Sequence, residues 1–425
     1  MPIIKKLKRV WELLGAGFIT GASDDEPSAI ATYTIAGAKY GYSMLWASLF
    51  TLPFMIAMQE MSGRIGRVSN MGLAGNMKKH YPRWLMFFIA GLIVIANTIN
   101  IGSNMSAMTQ AFSMVTGLTD INHHRLVAIA ITILILAVTI YLPYKRIFAI
   151  FKWTALSLFA YIFATFTINQ DWGNILFHTL IPTFHFSKDY FIVLIAFFGT
   201  TLSPYLFFWQ ANQEVEEKMI EQCKPGHVCH LRPATDVELS RLTTDTRIGM
   251  SFSNIITFFI ITLAASTLFK AGLHNIESLQ DAARALEPLA GEYSYLLFTV
   301  GIISAGFLGI PVLAGSAAYV IAEVFGWSEG LNKSFAKAKE FYAVVIASTF
   351  IGLLIPLLGL NPVKALFYTS IIYGVIAPIL IMMVLHMSNN KKIMGTHTNG
   401  WLTNLFGHTA FVIMAILAVL TFFVL

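Results

Sequence analysis

Long apolar stretches separated by short polar connections run along the whole chain. A helix of about 20 apolar residues is long enough to cross the hydrocarbon core of a bilayer. The pattern predicts eleven spans, at residues 11–37, 43–62, 84–112, 125–142, 146–168, 190–214, 248–269, 293–325, 340–359, 362–387 and 401–425. The eighth is too long for one simple crossing, so we expect part of it to be tilted, broken or outside the bilayer. The pattern is typical of an all-α integral membrane protein.

Composition and charge support this prediction. Of 425 residues, 56% are hydrophobic and 12% are charged, whereas soluble domains carry about 25% charged residues. Most Lys and Arg residues lie in the N-terminal tail and in every second connection, at 5–9, 64–83, 145–146, 218–247, 333–339 and 391–392. Positively charged loops stay cytoplasmic, so the pattern places the N-terminus inside and the C-terminus outside a cytoplasmic (inner) membrane. The net charge of +6 therefore needs no nucleic-acid partner.

Two predicted spans are interrupted at matching positions. The first is broken at Gly21-Ala-Ser-Asp-Asp-Glu-Pro-Ser28, and the sixth at Gly199-Thr-Thr-Leu-Ser-Pro-Tyr205. Proline removes a backbone donor, and unwound backbone at membrane depth needs an ion, water or protein as its partner. Secondary transporters have such breaks in two related halves. We therefore predict one transport domain over 1–425, with repeats at about 11–168 and 190–387 and an extra helix at about 401–425.

Three consecutive carboxylates lie at the first break. Asp24, Asp25 and Glu26 occupy an otherwise apolar span, where each charge costs at least about 2.5–3.5 kcal/mol. Oxygen ligands suit magnesium, calcium or manganese, so we predict a metal site here. The alternative is that Asp25 or Glu26 caps the second half-helix, which Pro27 would begin.

Other polar residues are candidates for the site or for the permeation path. Thr200 and Ser203 at the second break can offer hydroxyl or carbonyl oxygens to the same ion, although small-residue packing is the alternative. On the third span, Asn97, Asn100 and Asn104 share one helical face and either line the path or join helices. After the second break the candidates are Tyr205, Gln210, Gln213 and Glu214. The later carboxylates, Glu216 and Glu217, lie nearer the cytoplasmic mouth, where a solvated acidic helix end is the alternative. Glu60 and Asp245 are expected to form structural ion pairs.

The two cysteines, Cys223 and Cys229, lie in a predicted cytoplasmic loop. Thiols on that side of the membrane are normally reduced. With His227 and His230 they resemble a small soft-metal cluster, but the spacing matches no standard zinc signature. A flexible loop with reduced thiols is the simpler interpretation.

The two breaks carry a resemblance to a known family. The chain resembles the natural resistance-associated macrophage protein (Nramp) family of divalent-metal transporters, and most of all its magnesium-transporting branch. The similarity is densest in GAGFITGASDDEPSAIATYTIAGAKYGY, IGRVSNMGLAGNMKKHYPRW, ANTINIGSN and TTLSPYLFFWQANQEVEE. It implies a LeuT-type fold with five-plus-five inverted repeats, alternating access, and no cofactor besides the transported ion.

The resemblance also assigns residues at both breaks. The family's Asp-Pro-Gly-Asn motif falls on Glu26-Pro-Ser-Ala29, which keeps an acidic ligand and loses an amide ligand. Its Ala-x-x-Met-Pro-His motif falls on Thr200 to Tyr205, so Ser203 replaces the metal-binding methionine. Losing the thioether removes the ligand that favours manganese, iron and cadmium over magnesium. Tyr205 replaces a histidine associated with proton movement, so the resemblance implies magnesium transport without proton coupling.

Three other membrane functions are alternatives. A proton-coupled manganese or iron importer of ordinary Nramp type is the nearest alternative. An amino-acid transporter would bind its substrate carboxylate at the half-helix N-termini, where three acidic residues would repel it. A membrane metal sensor would be suggested by a soluble output domain, and the sequence offers none. No catalytic motif indicates an enzyme. We expect a monomer in the lipid bilayer.

Overall fold

The regular structure is helical throughout the part of the chain that the structure describes. The computed structural model describes residues 15–117, 120–142, 144–223 and 231–424. Its longer helices are α1 (Ala16–Asp24), α2 (Pro27–Tyr40), α3 (Leu45–Ser69), α4 (Arg83–Thr116), α5 (Ile121–Tyr141), α6 (Tyr144–Ala155), α7 (Lys188–Thr201), α8 (Pro204–Gln222), α9 (Asp236–Ala264), α10 (Ser294–Phe325), α11 (Lys339–Gly352), α12 (Pro362–Asn389) and α13 (Trp401–Val424). Short helices lie at Leu73–His80, Phe159–Phe166, Trp172–Leu180, Leu279–Ala283, Glu287–Ala290, Leu354–Leu357 and Lys391–Met394. The predicted all-α class is confirmed.

Ten stretches of the described chain are long and apolar enough to cross a membrane. The first, Pro27–Ser69, has 43 residues, which is about 65 Å of helix at 1.5 Å per residue. That is twice the hydrocarbon thickness of about 30 Å. The stretch turns at Gly41, whose φ of 57° is a conformation that glycine adopts readily. It therefore covers the end of the predicted first span and all of the second, and the count of eleven stays a prediction.

The long eighth span is a single helix. α10 runs unbroken for 32 residues with Pro311 inside it, so the suggested break is wrong. Its length of about 48 Å exceeds the hydrocarbon thickness, which leaves tilt or a protruding end as the way it fits.

The two broken spans lie at the centre of the helix packing. In the stretch Lys188–Gln222, which contains α7 and α8, 89% of the most apolar 18-residue segment is buried inside the protein. The corresponding shares are 28% for α5 and 33% for α13, whose apolar side chains therefore face lipid. α1 packs mainly on α9, α4 on α10, α7 on α12 and α8 on α3. The breaks are consequently enclosed by protein.

Two carboxylates hold the N-terminus of α1. Asp245 accepts hydrogen bonds from the backbone N–H groups of Gly15 (3.0 Å) and Gly17 (2.7 Å), and Glu217 accepts one from Ala16 (2.8 Å). These are first-turn donors without helical partners, and the helix dipole favours negative charge there. Asp245 therefore caps a helix, a role that was not predicted, and it also interacts electrostatically with Lys152 of α6. Glu60 does pair with Arg64, at 3.8 Å.

The cysteine prediction is corrected at one position. Cys223 is disulfide-bonded, so the expected reduced thiol is wrong there. His227, Cys229 and His230 of the possible soft-metal cluster lie outside the described residues.

Buried carboxylates also gather where α8 and α10 end. We call this side of the protein, which holds the C-terminal ends of α3, α8 and α10, the basic face, because the predicted positive connections lie there. Glu216 accepts hydrogen bonds from the Tyr319 hydroxyl and from the backbone N–H groups of Leu331 (2.7 Å) and Asn332 (3.1 Å). Burial, followed by the charges of Glu323 and Glu216, raises the pKa of nearby Glu329 from 4.5 to about 10. Glu329 therefore stays protonated at neutral pH.

Replacing Glu329 by Gln is expected to stabilise the protein at alkaline pH. The folded state holds this proton up to about pH 10, whereas the unfolded chain releases it near 4.5. The carboxyl's contribution to stability is thus complete below the unfolded pKa and is lost as pH rises toward the folded one. We expect thermal unfolding in detergent to show equal Tm values at pH 5. At pH 9 the variant should have a Tm higher by on the order of a few degrees. Glu292→Gln, at an exposed carboxyl, is the control, and a pH-independent difference would contradict the assignment.

The contact between α1 and α9 should be intolerant of added volume. A Cβ on Gly21 would lie 2.1 Å from the carbonyl oxygen of Gly249, and backbone atoms cannot move aside easily. Gly21→Ala should therefore destabilise the protein by about 1–3 kcal/mol, seen as a lower Tm in detergent. A Cβ on Gly91 of α4 meets nothing within 4 Å, so Gly91→Ala should leave Tm unchanged or raised. Equal effects of the two changes would contradict this packing.

Candidate metal site at the helix breaks

Both breaks have the same local structure. α1 ends at Asp24, and Glu26 then occupies the N-cap position of α2 with Pro27 as its first residue. α7 ends at Thr201, and Ser203 likewise precedes Pro204 at the start of α8. Proline suits a first helical position because its missing N–H would have no partner there. Each break therefore has two extended or irregular residues followed by a new helix, as the sequence predicts.

Glu26 faces α4. Its Oε1 accepts a hydrogen bond from Asn100 Nδ2 at 2.5 Å and another from the Ser28 hydroxyl, and its Oε2 accepts one from Asn104 Nδ2. The side chain is only 1% exposed. Although the backbone of Glu26 is an N-cap, its carboxylate makes no capping hydrogen bond. The capping interpretation therefore does not account for this carboxylate.

The oxygens around Glu26 outnumber the partners that the protein gives them. The amide oxygens of Asn100 and Asn104 are buried without a hydrogen-bond partner in the described chain. On the other side, Gly309 of α10 leaves room for the carboxylate, since a Cβ there would lie 2.8 Å from Glu26 Cβ. Unsatisfied buried polar atoms are costly. The arrangement thus offers hard oxygen ligands to a cation.

Asp24 and Asp25 face α9 instead. The Ser253 hydroxyl lies 3.1 Å from Asp24 Oδ2 and 3.2 Å from Asp25 Oδ1, and one hydroxyl proton cannot satisfy both. Asp24 Oδ1 and Asp25 Oδ2 are buried without partners among the described residues. The three consecutive carboxylates are therefore divided between two sides of the break.

The second break contributes hydroxyl and carbonyl oxygens. Ser203 Oγ donates to the Thr200 carbonyl at 2.5 Å, so this hydroxyl partly satisfies the unwound backbone. Thr200 Oγ1 is buried and has no hydrogen-bond partner in the described chain. Of the two residues predicted here, Thr200 is thus the one whose side-chain oxygen lacks a hydrogen-bond partner among the described residues.

Tyr205 holds the two breaks together. Its hydroxyl donates to the Ser23 carbonyl at 3.1 Å, which is one of the last, unpaired carbonyls of α1. Its own carbonyl accepts the Ser316 hydroxyl of α10 at 2.9 Å. The Tyr205 side chain therefore has a structural role beside the site.

Asn97 acts in packing. Its Nδ2 donates to the Leu313 carbonyl of α10 at 3.1 Å, and its Oδ1 accepts the Tyr373 hydroxyl of α12 at 2.9 Å. Both ends of the amide are occupied, as expected of a polar group that joins membrane helices. Asn97 therefore differs from Asn100 and Asn104, which lie on the same face and reach Glu26.

Gln210 and Glu214 belong to a closed polar network near the basic face. Gln210 Oε1 accepts the Thr20 hydroxyl of α1, and its Nε2 donates to Glu214 Oε1 at 3.1 Å. Glu214 Oε2 lies 3.3 Å from the buried guanidinium of Arg67 on α3. Arg67 also pairs with Glu221 and, at 3.8 Å, with Glu238. This network joins α1, α3, α8 and α9 below the breaks.

Gln213 lies on a second polar contact between α8 and α10. Its Nε2 donates to the Tyr319 hydroxyl at 3.1 Å, and Tyr319 in turn donates to Glu216. The residues predicted for a permeation path beyond the break are thus hydrogen-bonded to other polar side chains.

The described residues contain no group of three or more His, Cys, Asp and Glu side chains that could hold a metal ion. The division of the carboxylates between α4 and α9 is the physical reason. A cation beside Glu26 would need amide, hydroxyl and backbone oxygens besides that carboxylate. Magnesium, which keeps several waters when bound, needs few protein ligands.

Sequence reasoning missed three contributors. Ser28 and Ser253 donate hydrogen bonds to the carboxylates, and Gly309 leaves room for the side chain of Glu26. Ser28 follows the break directly, and this proximity was a usable signal. Ser253 and Gly309 are distant in sequence and lie on ordinary apolar spans, so nothing in the local pattern marked them.

The comparisons with known proteins agree with this fold. A divalent metal cation transporter MntH of Caldanaerobacter subterraneus is 25% identical over 401 residues, covering 92% of this chain and 87% of the relative. One from Ralstonia nicotianae is 24% identical over 434 residues, covering 98% and 91%.

Solved structures show the same LeuT-type fold. A manganese transporter of Eremococcus coleocola superposes with a TM-score of 0.78 at 14% identity, covering 96% of this chain and 85% of that one. Mhp1, a nucleobase-cation-symport-1 family transporter, gives 0.58 at 14% identity, covering 96% and 90%.

A family model described as natural resistance-associated macrophage protein-like matches residues 17–424. With nearly the whole chain matched and both breaks in place, the chain belongs to the Nramp family.

Proposed function

We propose that this protein is a divalent metal cation transporter that imports magnesium across the cytoplasmic membrane, by alternating access and without proton coupling. The observation that carries the proposal is the Glu26 carboxylate, which lies buried at a helix break between the amides of Asn100 and Asn104. An intramembrane carboxylate without a basic partner marks an ion pathway. The proposed orientation has the N-terminus inside and the C-terminus outside.

The donor set supports magnesium. Carboxylate, amide and hydroxyl oxygens suit hard cations, whereas a thioether favours softer ones. Position 203 is a serine and position 29 an alanine, so neither offers a sulfur or an amide. We assign the direct contact to Glu26 first, then Asp25 and then Asp24, with oxygens of Thr200 and Ser203 from the second break.

The membrane potential can drive this transport. A divalent cation that moves inward gains about 4.6 kcal/mol per 100 mV, which is twice the value for one charge. Tyr205 stands beside the site, where its hydroxyl is held by the Ser23 carbonyl. This contact supports a structural role for Tyr205 rather than a role as a proton carrier.

Ordinary proton-coupled manganese import is the second candidate. It is favoured by the names of the relatives, which are divalent metal and manganese transporters. Manganese accepts the same oxygen ligands as magnesium. The two functions differ in the ion that enters and in whether protons accompany it.

Neutralising Glu26 should abolish transport. Glu26→Gln keeps the side-chain size but removes the charge that binds the cation, so we expect magnesium uptake into proteoliposomes to fall at least about tenfold. Internal pH should stay constant during uptake by the wild type. Glu292→Gln at the protein surface is the control and should transport normally. Manganese entry with acidification, and no magnesium entry, would overturn the proposal in favour of the second candidate.

Restoring a thioether should shift the metal preference. Ser203→Met places a soft ligand at the start of α8, so cadmium should inhibit magnesium uptake at a concentration several-fold lower than for the wild type. Ser203→Ala is the matched control, because it removes the hydroxyl without adding sulfur. If both variants respond to cadmium like the wild type, Ser203 is not at the ion site.

A further inference from the structure

A separate cavity lies on the face opposite the basic face, where α4 ends and α5 begins. It has a volume of about 350 Å³, and its walls include Gln110, Ser113 and His124 together with Gln280 and Tyr295. A second cavity of about 400 Å³ shares Gln110 and His124 with it. These two residues therefore stand between two neighbouring cavities.

The walls of the smaller cavity carry polar atoms that the protein does not satisfy. Gln110 Oε1, Ser113 Oγ and His124 Nε2 are all buried, and none has a hydrogen-bond partner among the described residues. Ser113 is only 3% exposed. Three such atoms around one cavity are unusual, because buried polar groups nearly always have partners. They indicate a ligand that donates hydrogen bonds.

The cavity lies farther along α4 than the residues that contact Glu26. Gln110 lies six positions after Asn104 on α4, and Asn104 donates to Glu26, so the cavity is about 9 Å away along the helix axis. Between them, Met108 is fully buried and packs against Gly306 of α10. On the predicted topology this end of α4 is the outer one. Met108 thus lies between the cavity and Glu26 along α4.

The size and chemistry of the cavity fit a hydrated cation. Six waters occupy about 180 Å³, at about 30 Å³ each, which leaves room within the cavity for a complete first hydration shell. Waters on a divalent cation are strong hydrogen-bond donors. Rotation of the side chains would bring Gln110 Oε1, Ser113 Oγ and His124 Nε2 within reach of these waters, from which they can accept hydrogen bonds without displacing any. A bare ion would find no carboxylate among the described residues that line this cavity.

We propose that this cavity is an outer waiting site, which binds a hydrated divalent cation through its water ligands before the ion reaches Glu26. The inference rests on the proposed function, since it supposes that a divalent cation passes along α4. It adds a second binding site, at which the protein contacts the water ligands of the cation and not the metal itself. The specificity of this site is therefore for the hydration shell.

Cobalt(III) hexaammine tests this site directly. Its six ammine ligands imitate the donor shell of a hexahydrated cation and do not exchange, so it cannot use a site that requires direct metal contact. Binding to the purified full-length protein is measured by isothermal titration calorimetry. We expect Gln110→Leu and His124→Phe each to weaken binding about fivefold, the worth of one hydrogen bond.

Matched controls separate this site from its surroundings. His123→Phe changes the neighbouring imidazole, which lies 3.6 Å from Asp120 and is half exposed. This variant should bind the complex as tightly as the wild type does. Gln110→Glu should bind more tightly than the wild type, a gain that misfolding cannot produce. Glu26→Gln should retain binding although it loses transport, which places the complex away from the central site.

The possible outcomes decide the proposal. Absent binding to the wild type overturns it, as does equal binding by the wild type, Gln110→Leu and His124→Phe. Binding that is lost in Glu26→Gln but kept in Gln110→Leu assigns the complex to the central site, and this also overturns it. If uptake assays reveal manganese transport and no magnesium transport, the proposed function fails. The calorimetry then still shows whether the cavity binds the complex.

Discussion

Three buried carboxyl groups without basic partners at the first helix break are the constraint on which the rest of the structure depends. Asp24, Asp25 and Glu26 are each at most 1% exposed, and no ion pair in the described chain involves any of them. Burying a charge without a partner is among the most costly events in folding. Asparagine and serine side chains offset part of this cost, but oxygens on both aspartates stay without partners. A bound divalent cation would satisfy the oxygens that the protein leaves open.

The surrounding contacts keep this charged segment in place from both ends. The N-terminus of α1 is held by Asp245 and Glu217, and its C-terminal carbonyl at Ser23 by Tyr205. The Thr20 hydroxyl ties the middle of α1 into the network that ends at Arg67. Alternating access would require α1 to exchange its contacts with α8, whereas its contacts with Asp245 of α9 can be kept. The tight approach of α1 to α9 means that the two helices would move as one unit.

The sequence predicts local features of this site well and distant partners poorly. Both breaks follow from proline after a polar residue, and the helical spans follow from apolar length. The amides that bind Glu26 lie 74 and 78 positions along the chain. Helical spacing placed Asn97, Asn100 and Asn104 on one face but could not show that only two of them reach the carboxylate. The role of Asp245 was missed for the same reason, because its partners are backbone groups far away in sequence. The outer cavity depends on how α4 meets α5, which no local pattern encodes.

The most direct test of the central claim is to locate a bound cation. Crystals of the protein soaked with manganese as an anomalous scatterer, with magnesium as competitor, would show where a divalent ion binds at the breaks. The account predicts that the strongest anomalous peak contacts Glu26 directly or through one water, and that excess magnesium removes it. A strongest peak elsewhere, with none beside Glu26, would contradict the assignment of this carboxylate as the principal ligand.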